Sequence, residues 1–213
     1  MLKKIIPAII LTVLFSAPEL FCEARWEKFK SSFNHFDDRA VILINHSTNS
    51  DVCDAFMIVM TMMGDGIGII PIMGIILYFY DRKHFKFNFI FFITLLLIGG
   101  VVVQILKYLF NRPRPLQRIS DIKLLSDPLK EHGFPSGHTM AIFAAAAYLS
   151  KKIKKYAWLF LLVAVTVGIS RIYVGVHFLS DVICGAVIGV CITEFFCWVF
   201  KIESDKKQAA ITS

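Results

Sequence analysis

The stretch that decides the fold is FNFIFFITLLLIGGVVVQILKYLF at residues 87–110, which runs directly into NRPRP at residues 111–115. Lys107 is the one charged residue in this apolar run. A helix needs about 20 predominantly apolar residues to cross a bilayer. Because lipid offers backbone N–H and C=O groups no partners, such a run crosses as a helix, in which these groups bond to one another. The run therefore predicts a transmembrane helix that ends in a basic, proline-rich segment.

Five further apolar runs accompany this one. The chain has 213 residues, 56% of them hydrophobic, whereas soluble domains average about 45–50%. The six candidate spans are residues 5–21, 55–80, 87–110, 136–149, 156–173 and 178–200. We expect an all-α fold, a polytopic membrane bundle of six transmembrane helices without a second soluble domain.

The first span also has the pattern of a secretory signal peptide. Lys3 and Lys4 precede a short apolar run, and small residues follow it, as they do in cleaved signals. We favour a retained helix; cleavage would leave five transmembrane helices and the same topology. The predicted organisation is an N-terminal helix or signal at residues 1–24, a membrane domain at 25–202 and a cytoplasmic tail at 203–213.

The positive charge of the chain is distributed by membrane side. The net charge is +7, but Lys and Arg fall in short clusters between apolar runs, which argues against a nucleic-acid binder. The basic clusters lie at residues 3–4, 81–86, 151–155 and 201–207. Six crossings place all of them on one side, which the positive-inside rule makes the cytoplasm. Segments 22–54, 111–135 and 174–177 are then expected to face outwards.

The outer segment 22–54 is predicted to begin with an amphipathic helix. Its aromatic residues at helical spacing are Trp26, Phe29, Phe33 and Phe36. Such a helix lies in the membrane interface or packs as a lid over the bundle. Cys22 and Cys53 flank the segment; they form a disulfide outside the cytoplasm or remain two thiols.

Glycines and one acid interrupt the apolar spans. Asp65 lies between two glycines inside span 55–80. An ionisable residue there either bonds a neighbouring helix, which we favour, or lines a path through the protein. The pairs Gly99-Gly100 and Gly185-x3-Gly189 predict close contacts between helices.

Three cations are predicted to meet at the outer face. Lys107 ends the third span, Arg114 follows it, and Arg171 ends the fifth. Gathering them beside an apolar bundle is costly without an anion, and guanidinium groups match phosphate oxygens. Ser136 and Gly137 open the fourth span, where free backbone N–H groups bind anions. Together these residues predict a phosphate site.

Two histidines and a carboxylate accompany the cations. His177 and Asp181 are four residues apart, so on a helix they share one face. A carboxylate fixes the tautomer of an imidazole and leaves the second ring nitrogen free to attack, while His138 is placed to protonate a leaving oxygen. Each residue alone is more often a capping or solvated group. On one face they predict phosphoryl transfer without a metal, because three cations neutralise the phosphate oxygens.

These residues resemble the motif of the type 2 phosphatidic acid phosphatase (PAP2) superfamily, which reads K-x6-R-P, P-S-G-H and S-R-x5-H-x3-D. All three parts occur in order, as Lys107-x6-Arg114-Pro115, Pro135-Ser136-Gly137-His138 and Ser170-Arg171-x5-His177-x3-Asp181. The resemblance implies a phosphohistidine on His177, oriented by Asp181, with His138 as general acid and then base. It implies phosphate binding by Lys107, Arg114, Ser136, Gly137 and Arg171, and neither cofactor nor metal.

The function that we expect is hydrolysis of a lipid mono- or diphosphate by domain 25–202. Candidate substrates are undecaprenyl diphosphate, phosphatidic acid, phosphatidylglycerol phosphate and lipid A. Short loops favour a bacterial inner-membrane enzyme with an outward-facing site, whose partners are the lipid phosphate and the bilayer. The alternatives are a lipid phosphotransferase with the same intermediate, an anion transporter that needs no His177–Asp181 pair, and a non-catalytic scaffold. Arg112, outside the motif, contacts a second phosphate or head group, or lies at the surface.

Overall fold

The computed structural model describes residues 23–48, 50–126 and 132–202. The α-helices in these ranges are α1 (Glu23–Asn45), α2 (Asp51–Met62), α3 (Gly66–Tyr80), α4 (Phe85–Phe110), α5 (Pro115–Arg118), α6 (Gly137–Lys152), α7 (Ala157–Tyr173) and α8 (Leu179–Val199). Short 3₁₀ turns, Arg82–His84 and Lys154–Tyr156, precede α4 and α7. Helices are the only regular secondary structure in the described ranges, which confirms the all-α prediction.

Three helical stretches in the described part of the chain are long and apolar enough to cross a membrane. They are Arg82–Arg118, Lys154–Tyr173 and Leu179–Val199, and the bent pair α2 and α3 adds a fourth if it counts as one span. The predicted six are not reached here. Residues 5–21 lie outside the described ranges, and α6 has 16 residues, fewer than the roughly 20 that a full crossing takes.

The predicted span 55–80 is wrong as a single helix. α2 ends at Met62 and α3 begins at Gly66, and the two helices differ in direction by 71°. The Asp65 carboxylate accepts a hydrogen bond from the Gly66 N–H at 2.7 Å, so it caps the start of α3. Asp65 is exposed and is a helix cap, whereas we expected a bond to a neighbouring helix.

Helix α6 lies at the centre of the bundle, and most of its side chains are buried. α8 approaches it closely, because a Cβ on Gly185 or Gly189 would meet the α6 backbone. A Cβ on Gly99 of α4 would meet the side chain of Met140 in α6, whereas Gly100 faces open space. The predicted close contacts are thus confirmed at three of the four glycines.

The basic loops gather at one end of this bundle. The Tyr80 hydroxyl donates to the Lys152 carbonyl at 2.7 Å, and Lys151 donates to Glu194 at 2.8 Å. These bonds join the end of α3, the end of α6 and the last part of α8. Residues 81–86, 151–155 and 201–202 therefore share one end, whereas residues 3–4 and 203–207 lie outside the described ranges.

The helix predicted in segment 22–54 is confirmed as α1, which extends to Asn45. Its residues up to Arg39 belong to a separate unit from the residues that follow. Placement of α1 in the membrane interface or as a lid stays a prediction. Cys22 lies outside the described ranges, so its pairing with Cys53 also stays a prediction, as do the boundaries at residues 24 and 202.

Candidate active site

His177 and Asp181 face each other at the turn between α7 and α8. The chain reverses at Gly175, whose φ of +82° lies in the left-handed region that glycine adopts without steric cost. His177 Nδ1 lies 3.4 Å from Asp181 Oδ2, and both side chains are buried. The Phe178 N–H donates to the same carboxylate oxygen at 2.9 Å. The carboxylate is thereby oriented towards the imidazole. His177 precedes the N-cap Phe178 of α8, so it does not share a helix with Asp181, whereas the four-residue spacing predicted that it would.

Arg114 lies on the other side of the imidazole. Its Nη1 is 3.5 Å from His177 Nε2 and donates to the Val176 carbonyl at 2.9 Å. A carboxylate beside Nδ1 and an N–H donor beside Nε2 favour the tautomer that carries its proton on Nδ1. The lone pair is then on Nε2, and it faces the guanidinium.

Burial has the largest effect on the pKa of His177. Removal from water lowers the pKa of His177 from its ordinary 6.5 to about 4, and the hydrogen bond to Asp181 opposes this change. The nearby charges of Arg171 and Arg114 lower the pKa further. The imidazole is therefore neutral near pH 7, which is the state in which Nε2 can act as a nucleophile.

Arg171, at the end of α7, has a buried guanidinium. Its Nη1 donates to the Thr61 hydroxyl in the last turn of α2 at 2.6 Å. Its Nε is also buried, and no residue in the described ranges bonds to it. An unsatisfied charged donor in the interior is costly, and an anionic oxygen is the partner that best satisfies a guanidinium. This geometry indicates an oxyanion ligand.

The turn before α6 brings Ser136 and His138 to the same end. The Ser136 N–H donates to the Asp181 carbonyl at 3.0 Å, which ties the start of α6 to the start of α8. The Ser136 hydroxyl caps α6, accepting bonds from the N–H and hydroxyl of Thr139 at 3.4 and 2.9 Å. His138 is half-buried. It lies within electrostatic range of Arg171, His177, Lys107 and Arg114.

All eight predicted site residues lie at this end of the bundle. Lys107 is half-buried in the last turn of α4. Gly137 is the first residue of α6, and a Cβ there would lie 3.7 Å from a Val103 methyl group. That distance is an ordinary contact, so packing alone does not require glycine at residue 137.

Arg112 does not lie at the surface. Its Nη1 donates to Asp181 Oδ1 and to the Ser180 hydroxyl, each at 2.6 Å, and its side chain is only 14% exposed. Its guanidinium lies 4.5 Å from the Phe178 ring centroid, and that of Arg118 lies 4.1 Å from it. Of the alternatives that the sequence left open for Arg112, the surface position is wrong.

Sequence reasoning missed Thr61 and a polar cluster beside the site. Asn45 donates to the carbonyls of Tyr173 and Lys123 at 2.6 and 2.8 Å. Asp54 accepts from the Tyr173 hydroxyl at 2.6 Å and from Lys123 Nζ at 2.5 Å. The cluster joins α2, the last residue of α1 and the segment after α5 to the end of α7. Nothing in the sequence pairs these four residues, which come from four separate segments.

The chain is similar to several known proteins in sequence and in structure. The model of the PAP2 superfamily matches residues 73–204. The bacitracin transport permease protein BcrC of Bacillus licheniformis is 29% identical over 127 residues, which are 59% of this chain and 63% of the relative, less than two thirds of its length. The undecaprenyl-diphosphatase of Sulfolobus acidocaldarius is 26% identical over 148 residues, covering 69% of this chain and 70% of that protein. The crystal structure of Aquifex aeolicus LpxE matches this chain with a TM-score of 0.66 and 32% sequence identity. The match covers 75% of this chain and 93% of the LpxE chain.

Proposed function

Because this chain belongs to the PAP2 superfamily, we propose that it is an integral-membrane lipid phosphatase that works through a phosphohistidine at His177. The imidazole of His177 carries the proposal, since Nδ1 faces Asp181 and Nε2 faces the Arg114 guanidinium. A nucleophile held between an orienting carboxylate and a cation is what attack on a phosphoryl group requires.

In the first step, Nε2 of His177 attacks phosphorus, and the bond from phosphorus to the lipid-side oxygen breaks. Asp181 accepts the Nδ1–H hydrogen bond and stabilises the positive charge that develops on the ring. The cations Lys107, Arg114 and Arg171 neutralise the other phosphate oxygens. His138 protonates the leaving oxygen, so a monophosphate leaves as the lipid alcohol and a diphosphate as the lipid monophosphate.

In the second step, water attacks the phosphohistidine. His138, now neutral, takes a proton from that water, and the phosphorus–nitrogen bond breaks. Its electron pair returns to Nε2, and inorganic phosphate is released. The Ser136 hydroxyl and the N–H groups of Gly137 and His138 at the start of α6 donate to the phosphate in both steps. Neither step of this proposal uses a metal ion or a cofactor.

We place the active site at the outer face of a bacterial cytoplasmic membrane. The basic loops at the opposite end of the bundle support this orientation. Counting residues 5–21 and α6 as crossings gives six transmembrane helices, or five if residues 1–24 are removed.

Among lipid mono- and diphosphates, the similarity to an undecaprenyl-diphosphatase favours a polyprenyl diphosphate over phosphatidic acid, phosphatidylglycerol phosphate or lipid A.

Transport is the second candidate function, because one relative is named a transport permease. An anion transporter would use the cations Lys107, Arg114 and Arg171, but it would not need the His177–Asp181 pair. A lipid phosphotransferase would share the intermediate and pass the phosphoryl group to a lipid hydroxyl in place of water.

The test is release of inorganic phosphate by the detergent-purified chain in the presence of EDTA. The substrates are a panel of lipid mono- and diphosphates, and the variants are His177→Ala and the control His84→Ala. His84 is an exposed imidazole at the opposite end of the bundle. We expect release by the native chain and the control, and a loss of about 10⁴-fold or more in His177→Ala.

Other results would contradict the proposal in distinguishable ways. No release by a folded native chain from any lipid would remove the phosphatase and favour transport. Transfer of phosphate to an added lipid alcohol, without release, would identify a transferase. Loss of activity in EDTA would contradict the metal-independent mechanism.

A further inference from the structure

We propose that Arg112 is a positioning residue, which acts on the reaction by holding the Asp181 carboxylate in the orientation that His177 requires. This inference rests on the proposed function of His177. Arg112 lies outside the phosphate-binding set that the sequence predicted, and its role follows from its contacts.

The two carboxylate oxygens of Asp181 contact different partners. Oδ2 faces His177 Nδ1 and accepts from the Phe178 N–H at 2.9 Å. Oδ1 accepts from Arg112 Nη1 at 2.6 Å. The carboxylate therefore has a donor on each oxygen, and rotation about its Cβ–Cγ bond would break the contacts on both sides.

The carboxylate of Asp181 is fully buried, so its charge needs compensation. A buried charge that loses its partner is strongly destabilising. Arg112 supplies that partner, and a guanidinium keeps its charge under all ordinary conditions. A carboxylate without Arg112 would turn towards other donors or water, and Oδ2 would leave the Nδ1–H of His177.

Arg112 is itself held in place by its surroundings. Nη1 donates to the Ser180 hydroxyl at 2.6 Å, and the guanidinium lies over the Phe178 ring. Its carbonyl accepts from the Gly133 N–H at 2.9 Å. A Cβ on Gly133 would lie 3.3 Å from Asp181 Oδ2, so this loop closes directly over the carboxylate and keeps the ion pair away from bulk water.

The two arginines of the segment Arg112-Pro113-Arg114-Pro115 thus serve opposite sides of one imidazole. Arg114 lies 3.5 Å from the attacking nitrogen Nε2. Arg112 bonds to the carboxylate that orients Nδ1. A residue beside Nε2 would affect phosphate binding, whereas a residue behind Asp181 would affect the rate of attack once phosphate is bound.

The experiment compares phosphate release by Arg112→Gln, Arg112→Lys and the matched control Arg118→Gln, whose guanidinium lies over the same Phe178 ring. We expect Arg112→Gln to lower kcat by about 100-fold with KM and the inhibition constant of vanadate nearly unchanged. Arg112→Lys should recover part of kcat, and Arg118→Gln should resemble the native chain. Circular dichroism checks that each variant is folded.

A double variant separates positioning from a general structural role. If Arg112 acts through Asp181, then Arg112→Gln combined with Asp181→Asn should be no slower than Asp181→Asn alone. The inference would be overturned if the double variant lost activity by the product of the two single losses. It would also be overturned if Arg112→Gln were as fast as Arg118→Gln, or if KM and the inhibition constant of vanadate rose together in Arg112→Gln. These outcomes leave the phosphatase proposal intact, whereas a native chain without activity would overturn both.

Discussion

At His177, two opposing influences act on one imidazole. Burial keeps the ring neutral, so that the lone pair of Nε2 is available before attack. Asp181 favours the charged ring, so in the proposed mechanism the same contact would stabilise the positive charge that attack creates. The neighbouring cations, Arg114 and Arg171, also lower the pKa of the ring.

The depressed pKa of His177 predicts a loss of stability in acid. The folded pKa is about 4 and the ordinary value is 6.5, so the unfolded chain binds the proton first as pH falls. The contribution of neutral His177 to the free energy of unfolding is fully present above pH 6.5 and is lost as pH falls towards 4. In His177→Gln, the free energy of unfolding should therefore depend less on pH in this range. Thermal unfolding in detergent over that pH window measures the effect, and His84→Gln, at an exposed histidine, is the control. If the melting temperatures of the two variants changed equally with pH, the assignment to His177 would be wrong.

Thr61 provides a second test at the residue scale. Thr61→Val keeps the shape of the side chain and removes the hydroxyl that accepts from Arg171 Nη1 at 2.6 Å. Without this acceptor the Arg171 guanidinium is no longer held in one orientation, so we expect the inhibition constant of inorganic phosphate to rise by about 10- to 100-fold. Thr61→Ser, which keeps the hydroxyl, should stay near native. Equal inhibition of the Val and Ser variants would show that Thr61 does not hold Arg171 for phosphate.

At the scale of elements, the contact of α6 with α8 sets the distance between the two halves of the site. A Cβ on Gly185 would lie 2.5 Å from the Ser136 carbonyl oxygen, so Gly185→Ala must push α8 away. We expect a cost of about 1–3 kcal/mol, seen as a lower melting temperature, and reduced activity. Gly100→Ala is the matched control, since nothing lies within 4 Å of its Cβ position. A melting temperature for Gly185→Ala equal to that control would contradict tight packing at this contact.

Sequence patterns predicted which residues meet at the candidate site better than they predicted the helices that carry those residues. His177, Asp181 and Arg114 were identifiable because their spacing and chemistry are local properties of the chain. The bend between α2 and α3 was not, because an apolar run indicates burial in lipid without giving the direction of the helix axis. The Arg112–Asp181 and Thr61–Arg171 contacts join segments that are distant in sequence, so no local pattern contains them.

In the whole molecule, the basic loops and the candidate active site lie at opposite ends of the bundle. Ser120 is exposed near the catalytic end, and Lys155 is exposed among the basic loops. With the five native cysteines replaced, Ser120→Cys should react with a membrane-impermeant maleimide in intact spheroplasts. Lys155→Cys should react only after permeabilisation, because basic loops remain in the cytoplasm. The reverse pattern would place the site inside the cell.

The central claim is that His177 carries the phosphoryl group between substrate and water. The measurement that tests it most directly is trapping of the phosphorylated protein from a ³²P-labelled lipid diphosphate, with an alkaline quench and peptide mapping by mass spectrometry. We expect base-stable, acid-labile label on the peptide that contains His177, and none in His177→Ala. Label on another residue, or rapid phosphate release by the native chain with no labelled protein at any quench time, would contradict it.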